Sequence, residues 1–322
     1  MVERQKAPAA LGATVPPGMA GDRLDRVLAR LFSDYSRARM QRWVRDGHVA
    51  LDGAPCRNTR ARVAGGERLR VNPPPMPQED WRPQPMDLRL VYRDEHLLVL
   101  DKPAGLVVHP GAGNLDGTLL NALVHLQPAL AALPRAGLVH RLDKNTTGLM
   151  VVACTLQAQT RLSRMIAQRD VHRGYQAIVH GVAPAAGRVD APVGRHRVQR
   201  TRMSVREDGR HARTHFQRLA AFRAHSHLAL ELGTGRTHQI RVHMAHLRHP
   251  IVGDREYGGV RPVPAALGRE AAQAVLDFPR QALHACRLGF AHPVTGDPLV
   301  LQCELPADMA ALLCALHADA TT

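Results

Sequence analysis

Four ionisable side chains, His140, Arg141, Asp143 and Lys144, fall within five consecutive positions of the run Leu138–Ala153. Apolar, strand-like stretches flank them, and Thr147-Gly148 releases the chain into the second stretch. Charges crowded where a sheet edge turns into a loop cost stability if they are buried and unpaired. Such places are where chemically active groups concentrate. An aspartate set among cations offers an ionised, oriented carboxylate, the starting point of nucleophilic chemistry. The same spacing also suits an ion pair on a solvated turn.

A second constellation lies in residues 232–258, which begin at the Gly-flanked turn Leu232-Gly233-Thr234-Gly235-Arg236 and run into a predicted helix. Ile240, Met244 and Leu247 recur at helical spacing as a buried stripe, while His238, Arg241 and Ala245 share the neighbouring face. That arrangement puts a cation beside the core. The histidines His238, His243, His246 and His249 are dense enough to raise a metal site. A helical metalloprotease, however, needs His-Glu-x-x-His, and no Glu or Cys stands among these histidines; no metal is expected.

The elements that must position these groups follow from periodicity. Leu88–Tyr92 and His96–Asp101 read as a strand pair turned by Arg93-Asp94-Glu95, and Gly148–Ala153, Tyr175–His180, Ala212–Phe222 and Ser226–Leu232 as further strands. Thr118–Leu126 and Leu156–Gln168 read as helices. Their irregular alternation predicts an α+β fold, a mixed, largely antiparallel sheet with flanking helices, not a doubly wound parallel sheet. Neither a Gly-x-Gly-x-x-Gly after a strand nor a Walker loop is present.

Residues 72–86 hold six prolines in fifteen positions and cannot form a regular helix or inner strand. They mark a boundary. The expected organisation is a flexible segment 1–20, a small α/β domain 21–72, a proline-rich linker 73–86 and a large domain 87–315. In the small domain Leu24, Val27, Leu28 and Leu31 repeat at helical spacing, and Ser36 can cap a second helix with Met40, Trp43 and Val44 on its apolar face. Strands are expected at His48–Leu51 and Arg68–Val71, joined through Asp52-Gly53.

Across residues 21–72, 12 arginines stand against 6 acids, and Arg37, Arg39, Arg42 and Arg45 crowd the second helix. Like charges at such spacing repel unless an anion lies opposite them; an RNA backbone would supply it. The whole chain of 322 residues carries a formal charge of +15, which points first to nucleic acid. No apolar run approaches a membrane span, and the first twenty residues lack an unbroken apolar signal core. The cysteines Cys56, Cys154, Cys286, Cys303 and Cys314 are odd in number and widely spread, against both a disulfide framework and a Cys-x-x-Cys zinc site. A cytoplasmic protein is expected.

The run His140-Arg-Leu-Asp-Lys-Asn-Thr-Thr-Gly-Leu149 resembles the signature of the RluA-type pseudouridine synthases, which isomerise uridine in structured RNA. The later run Gly235-Arg-Thr-His-Gln-Ile-Arg-Val-His243 resembles that family's second motif, and Gly21-Asp22-Arg23-Leu24-Asp25 with Ser36-Arg37-Ala38-Arg39 resembles an S4 RNA-binding domain. The likeness extends from Gly21 to about residue 312 and is greatest to the RluD branch, which modifies a stem-loop of large-subunit ribosomal RNA. It implies the pseudouridine synthase fold, Asp143 as the catalytic aspartate and Arg241 as the arginine that pairs with it. It also implies Tyr175, in Tyr-Gln-Ala-Ile-Val-His-Gly, as the active-site tyrosine and Arg141 as the side chain that enters the RNA where the base leaves. Asp101 before Lys102-Pro103 and Asn145 after Lys144 depart from the family pattern, without removing a catalytic group.

Breaking N1–C1′ and forming C5–C1′ needs no oxidant and no cofactor. Three routes are open to Asp143: attack on C1′, addition to the ring, or abstraction of a sugar proton. A buried Asp143–Arg241 pair is expected, and Arg141, two residues from Asp143, would project to the same side if the segment is a strand. Arg23, Arg37, Arg39, Arg42, Arg45, Lys144, Arg236 and His238 are the expected RNA contacts, and the partner is large-subunit ribosomal RNA or the assembling subunit, met by a monomer. Two rival readings remain. A non-catalytic RNA-binding factor has no use for a paired aspartate, and a glycosidase usually needs two carboxylates where one candidate is found.

Overall fold

The computed structural model describes residues 10–32, 34–74, 81–111, 113–199, 201–259 and 264–321. Residues 1–9 of the expected flexible segment, residues 75–80 of the linker and Ala112 lie outside them.

A small N-terminal unit contains β1 (Leu11–Thr14), α1 (Leu24–Leu31), α2 (Arg37–Asp46), β2 (Val49–Leu51), β3 (Ala54–Pro55) and β4 (Arg68–Val71). Its four strands are ordered β1-β4-β2-β3, all antiparallel. Leu24, Val27 and Leu28 of α1 and Met40, Trp43 and Val44 of α2 fill its own core. Ser36 caps α2 as expected, its hydroxyl accepting from Arg39 N at 3.3 Å. Two expectations are corrected. Residues 11–20 are not a free segment, because β1 covers the edge of β4 from Leu11↔Val71 to Thr14↔Arg68. Asp52 and Gly53, both at positive φ, turn β2 into β3 and not into β4.

The expected unpartnered arginine cluster on α2 is also corrected. Asp25 of α1 is fully buried, and its carboxylate accepts from Arg23 Nε at 3.1 Å, Arg37 Nη2 at 2.7 Å and Gln41 Nε2 at 2.5 Å. An acid one helix away thus satisfies one arginine of the α2 cluster, Arg37, together with Arg23 at the start of α1. Burial pushes the Asp25 pKa up, but the hydrogen bonds from Gln41 and Arg37 outweigh it and hold the carboxyl below its ordinary 3.8. The stabilisation is therefore present above the ordinary aspartate range and is lost as pH falls through the lowered folded value. Asp25→Asn is expected to lower the melting temperature near neutrality, with the gap from wild type closing below pH 3.8. Calorimetry at the two pH values checks this.

The large unit contains β5 (Arg89–Arg93), β6 (Leu97–Lys102), α3 (Leu119–Leu126), β7 (Thr147–Ala153), α4 (Leu156–Gln168), β8 (His172–His180), β9 (Ala186–Asp190), β10 (Val193–Arg195) and β11 (Met203–Val205). It continues through β12 (Arg213–Ala221), β13 (His225–Leu232), α5 (Gln239–His246), α6 (Arg269–Leu276), β14 (Leu283–Ala291), β15 (Pro298–Gln302) and α7 (Ala307–Thr321). Nine strands form one sheet, β5-β6-β7-β14-β8-β13-β12-β9, with β15 also paired to β14. Only β7 and β14 run parallel; the other pairs are antiparallel, the mixed, largely antiparallel α+β sheet that was expected.

Strand alternation divides the core. Leu98, Leu100, Met150 and Val152 face one side with α3, while Leu97, Val99, Leu149 and Val151 face the other with Ala158 and Leu162 of α4. Both faces are covered, which is why β7 reads as a continuous apolar run. At its start Gly148 is indispensable: φ is +114°, and a Cβ would lie 2.2 Å from the carbonyl oxygen of Ala285 in the parallel partner.

The boundary segment is shorter than expected. Trp81 packs against the main core, Asn121 of α3 donates to the Arg82 carbonyl at 2.8 Å, and Gln84 Oε1 accepts from Gly117 N at 2.6 Å. Residues 81–86 therefore belong to the large unit. Its last helix, α7, runs to Thr321, past the expected end at 315. Among the described residues no helix is long and apolar enough to cross a membrane.

Candidate active site

Asp143 stands in an irregular loop between an isolated bridge, Leu138↔Val152, and the start of β7. Arg141–Asp143 is not a strand; both side chains nonetheless line the same cleft of about 350 Å³, within the size range of small-ligand sites (~300–1,000 Å³). The loop is fastened from several sides. His140 Nε2 accepts from Val151 N at 3.0 Å, Lys102 Nζ donates to Lys144 O at 2.9 Å, Arg280 Nη1 donates to Asn145 O at 3.2 Å, and Gln281 Nε2 donates to Thr146 Oγ1 at 3.1 Å. Such bracing fixes a reactive side chain before substrate arrives.

One member of the charged tetrad, His140, is structural in consequence. Burial, reinforced by Arg173, pushes the His140 pKa down to about 3, so its ring is neutral and accepts as observed. Lys144 is exposed and lies outside the cleft lining. The buried cation is instead Lys102, fully enclosed, whose three donors reach the carbonyls of Pro103 at 2.7 Å, Leu106 at 2.9 Å and Lys144. Burial pushes its pKa down to about 7, against the pull of Asp143.

Helix α5 brings the second constellation to the loop. Arg241 Nη1 donates to Asp143 Oδ2 at 3.3 Å, the expected pair. Arg241 is 8% exposed and Asp143 17%. The guanidinium is bound more tightly elsewhere, however. It forks onto Asp254 at 2.7 and 2.9 Å and reaches Glu256 at 2.8 Å, and it stacks 4.8 Å from the Tyr257 ring. Burial opposes its charge, but Asp254, Asp143 and Glu256 together raise its pKa above the ordinary arginine value. Arg241 is thus held by Asp254 and offers Asp143 its remaining edge.

His238, an expected RNA contact, sits at the N-terminus of α5 in the left-handed region with its Nε2 3.7 Å from Asp143 Oδ1. Tyr257 OH accepts from Met203 N and lies 2.7 Å from His238 Nδ1. Burial pushes the Tyr257 pKa up to about 12. The phenol therefore keeps its proton, and burial holds the His238 imidazole below its ordinary pKa. His238 thus stands between Tyr257 and Asp143. The helix is buried almost all round rather than along one stripe: Gln239, Arg241, Val242 and His243 are as enclosed as Ile240 and Met244, while Leu247 is half-buried.

Tyr175 of β8 is 6% exposed and lines the cleft, together with Leu142, Ile240 and Leu283. Burial raises its pKa, Arg173 lowers it and Asp143 raises it further. Arg236 also lines the cleft, its Nε donating to His211 O at 3.1 Å. Asp143 is the sole acid of the lining, against Arg141, Arg169, Arg173, Arg236 and Arg241. A single carboxylate in a basic, half-apolar cleft suits chemistry on a nucleotide and lacks the second acid of a glycosidase.

The chain matches the family model described as RNA pseudouridylate synthase over residues 96–246 and that of the S4 domain over residues 22–69. The ribosomal large subunit pseudouridine synthase D of Xanthomonas campestris pv. campestris is 51% identical, over 95% of this chain and 92% of that protein. This chain belongs to the RNA pseudouridine synthase family. The synthases D of Pseudomonas aeruginosa and Vibrio cholerae are 50% and 48% identical, over 95% and 96% of this chain and 96% of each relative. Within the family, this synthase falls in the branch whose members carry that name. Among solved structures, human RNA pseudouridylate synthase domain containing 4 superposes with a TM-score of 0.57 at 28% identity, covering 71% of this chain and 93% of that one.

Sequence reasoning passed over Lys102, Arg173, Asp254, Glu256 and Tyr257. The run Gly253-Asp-Arg-Glu-Tyr257 held a signal, two acids and a tyrosine a short loop beyond a helix that carries a buried arginine. The histidines weighed as metal ligands are dispersed: His243 bonds Thr214 and the Ala191 carbonyl, and His249 the His180 carbonyl. Among the described residues the group with metal-compatible donors is Asp101, His284 and Cys303. Those donors are engaged with Arg89, Thr147 and one another.

Proposed function

We propose that this synthase isomerises specific uridines of large-subunit ribosomal RNA, with Asp143 as catalytic carboxylate, Arg241 as its partner and Tyr175 as the wall against which the detached base turns. The pairing of Asp143 with Arg241 at the floor of the basic cleft carries the reading. Arg241 holds one oxygen of Asp143 and His238 stands beside the other, without blocking the open side of the carboxylate. A stacked uridine reaches it only by leaving the helix, at a cost of a few kcal/mol; Arg141, exposed at the cleft, takes the vacated place. The names of the relatives, the S4 match and the +15 charge support large-subunit RNA in the cytoplasm as the substrate. No cofactor enters the scheme, and a monomer suffices because the RNA supplies the large interface.

Pseudouridine mapping by carbodiimide treatment and primer extension tests it, on RNA from cells that lack the protein and from cells complemented with it. Large-subunit sites lost and restored support the proposal. Loss confined to transfer RNA would assign a sister activity, and no loss in any RNA would refute it.

Capture of the RNA is assigned to the small domain. Arg39, Arg42 and Arg45 share one stripe of α2 at i, i+3, i+6, whereas Arg23 and Arg37 are tied to Asp25. Arg42→Ala with Arg45→Ala is expected to weaken binding to a large-subunit RNA fragment and to lower the slope of log K against log salt by about two, one per phosphate contact. Filter binding across a salt series reads it.

A further inference from the structure

Arg173 is a buried cation that the chemistry at Asp143 does not use. It is 8% exposed, its Nε has no hydrogen-bond partner, and no ion pair of Arg173 occurs among the described residues. It lies two positions before Tyr175 on β8, so both side chains stand on the same face of the sheet, and both line the cleft. Its guanidinium is pressed against the Thr234-Gly235-Arg236 turn: a Cβ on Gly235 would come within 2.7 Å of Nη1. A larger residue there would have to shift this guanidinium. Two further cations share this end of the cleft. Arg169 ends α4 in the left-handed region, and Arg236 has its pKa lowered by burial and by the charges of Arg210 and Arg169.

An unpaired, enclosed guanidinium among other arginines is costly unless an anion completes it. Its planar fork matches the geometry of a phosphate, and the only acid in the lining, Asp143, is bonded to Arg241.

We propose that Arg173, flanked by Arg169 and Arg236, is the subsite for a backbone phosphate adjoining the flipped uridine. The subsite rests on the reading of the cleft as a uridine site. It fixes where the sugar enters, so that C1′ is presented to Asp143 while Tyr175 receives the base. The phosphate is covalently part of the RNA and is not a free ion.

The test uses the full-length protein and a large-subunit RNA stem-loop carrying a mapped uridine, with a neutral methylphosphonate replacing one flanking phosphate at a time. One replacement is expected to lower wild-type kcat/KM by about tenfold or more, the scale of a lost charge-assisted hydrogen bond. Arg173→Gln should show a similar loss on unmodified RNA, no further loss on the methylphosphonate RNA, and a salt slope of binding shallower by about one. Arg173→Lys should recover most of the activity. If Arg173→Gln is impaired yet stays as sensitive as wild type to every methylphosphonate, Arg173 only supports the turn and the subsite is overturned. Full activity of Arg173→Gln overturns it as well. Wild type indifferent to methylphosphonate but inhibited through Arg173 by inorganic phosphate would overturn the assignment to the RNA backbone. Wild type that converts no uridine in any RNA would instead bring down the functional reading beneath it.

Discussion

Asp143→Asn is expected to abolish pseudouridine formation while leaving the fold and RNA affinity nearly intact. The substitution keeps volume and removes the charge, so the nucleophile or base is lost outright; the fall in single-turnover rate should be roughly a hundredfold to ten-thousandfold or more. Stability should hardly change, because Arg241 keeps its fork onto Asp254 and its bond to Glu256. Binding should hold because the arginines of the small domain are untouched. Tritium release from labelled uridine, a melting curve and filter binding on one preparation separate these quantities. Retained activity would remove Asp143 from the chemistry, and a collapsed melting temperature would show that the residue is structural.

Arg241→Ala carries the second large effect, and it falls on stability as well as on rate. Asp254 is 1% exposed and depends on this guanidinium, while Asp143 and Glu256 converge on it from either side. Removing one partner of a buried ion cluster costs about 3–5 kcal/mol. The variant should therefore unfold at a much lower denaturant concentration and be inactive. Arg241→Met combined with Asp254→Leu discriminates the two roles. Replacing both charges by apolar groups of similar size should recover much of the lost stability, yet Asp143 would still lack its partner and activity should stay low. Recovery of activity together with stability would mean that Arg241 serves the fold and not the carboxylate.

The legibility of this protein differed from place to place for physical reasons. The strands β6, β7, β8, β12 and β13 and the helices α3 and α4 were visible because each buries a continuous or periodic apolar set, and burial is written in residue type. The strands β9, β10, β11, β14 and β15 were not foreseen; β10 and β11 are short, and β9 and β15 alternate with exposed positions on the margins of the sheet. Edge residues such as Leu11–Thr14 carry little pattern of their own, since pairing with Arg68–Val71 makes them a strand.

The sequence by itself determined the charge, the two-part organisation, the loop that carries Asp143 and the helix that carries Arg241, because each depends on neighbours a few positions away. Only the tertiary structure decided which ions meet. Asp25 silences Arg23 and Arg37 across 12 positions or fewer, and Asp143 meets Arg241 across 98. Asp254 holds the arginine expected to serve Asp143 alone, and Lys102, unremarkable in the chain, lies enclosed beneath the loop, while Arg173 meets no acid among the described residues. Electrostatic partnership acts through space, with a strength set by burial, and neither the separation nor the burial of two charges is encoded in their distance along the chain.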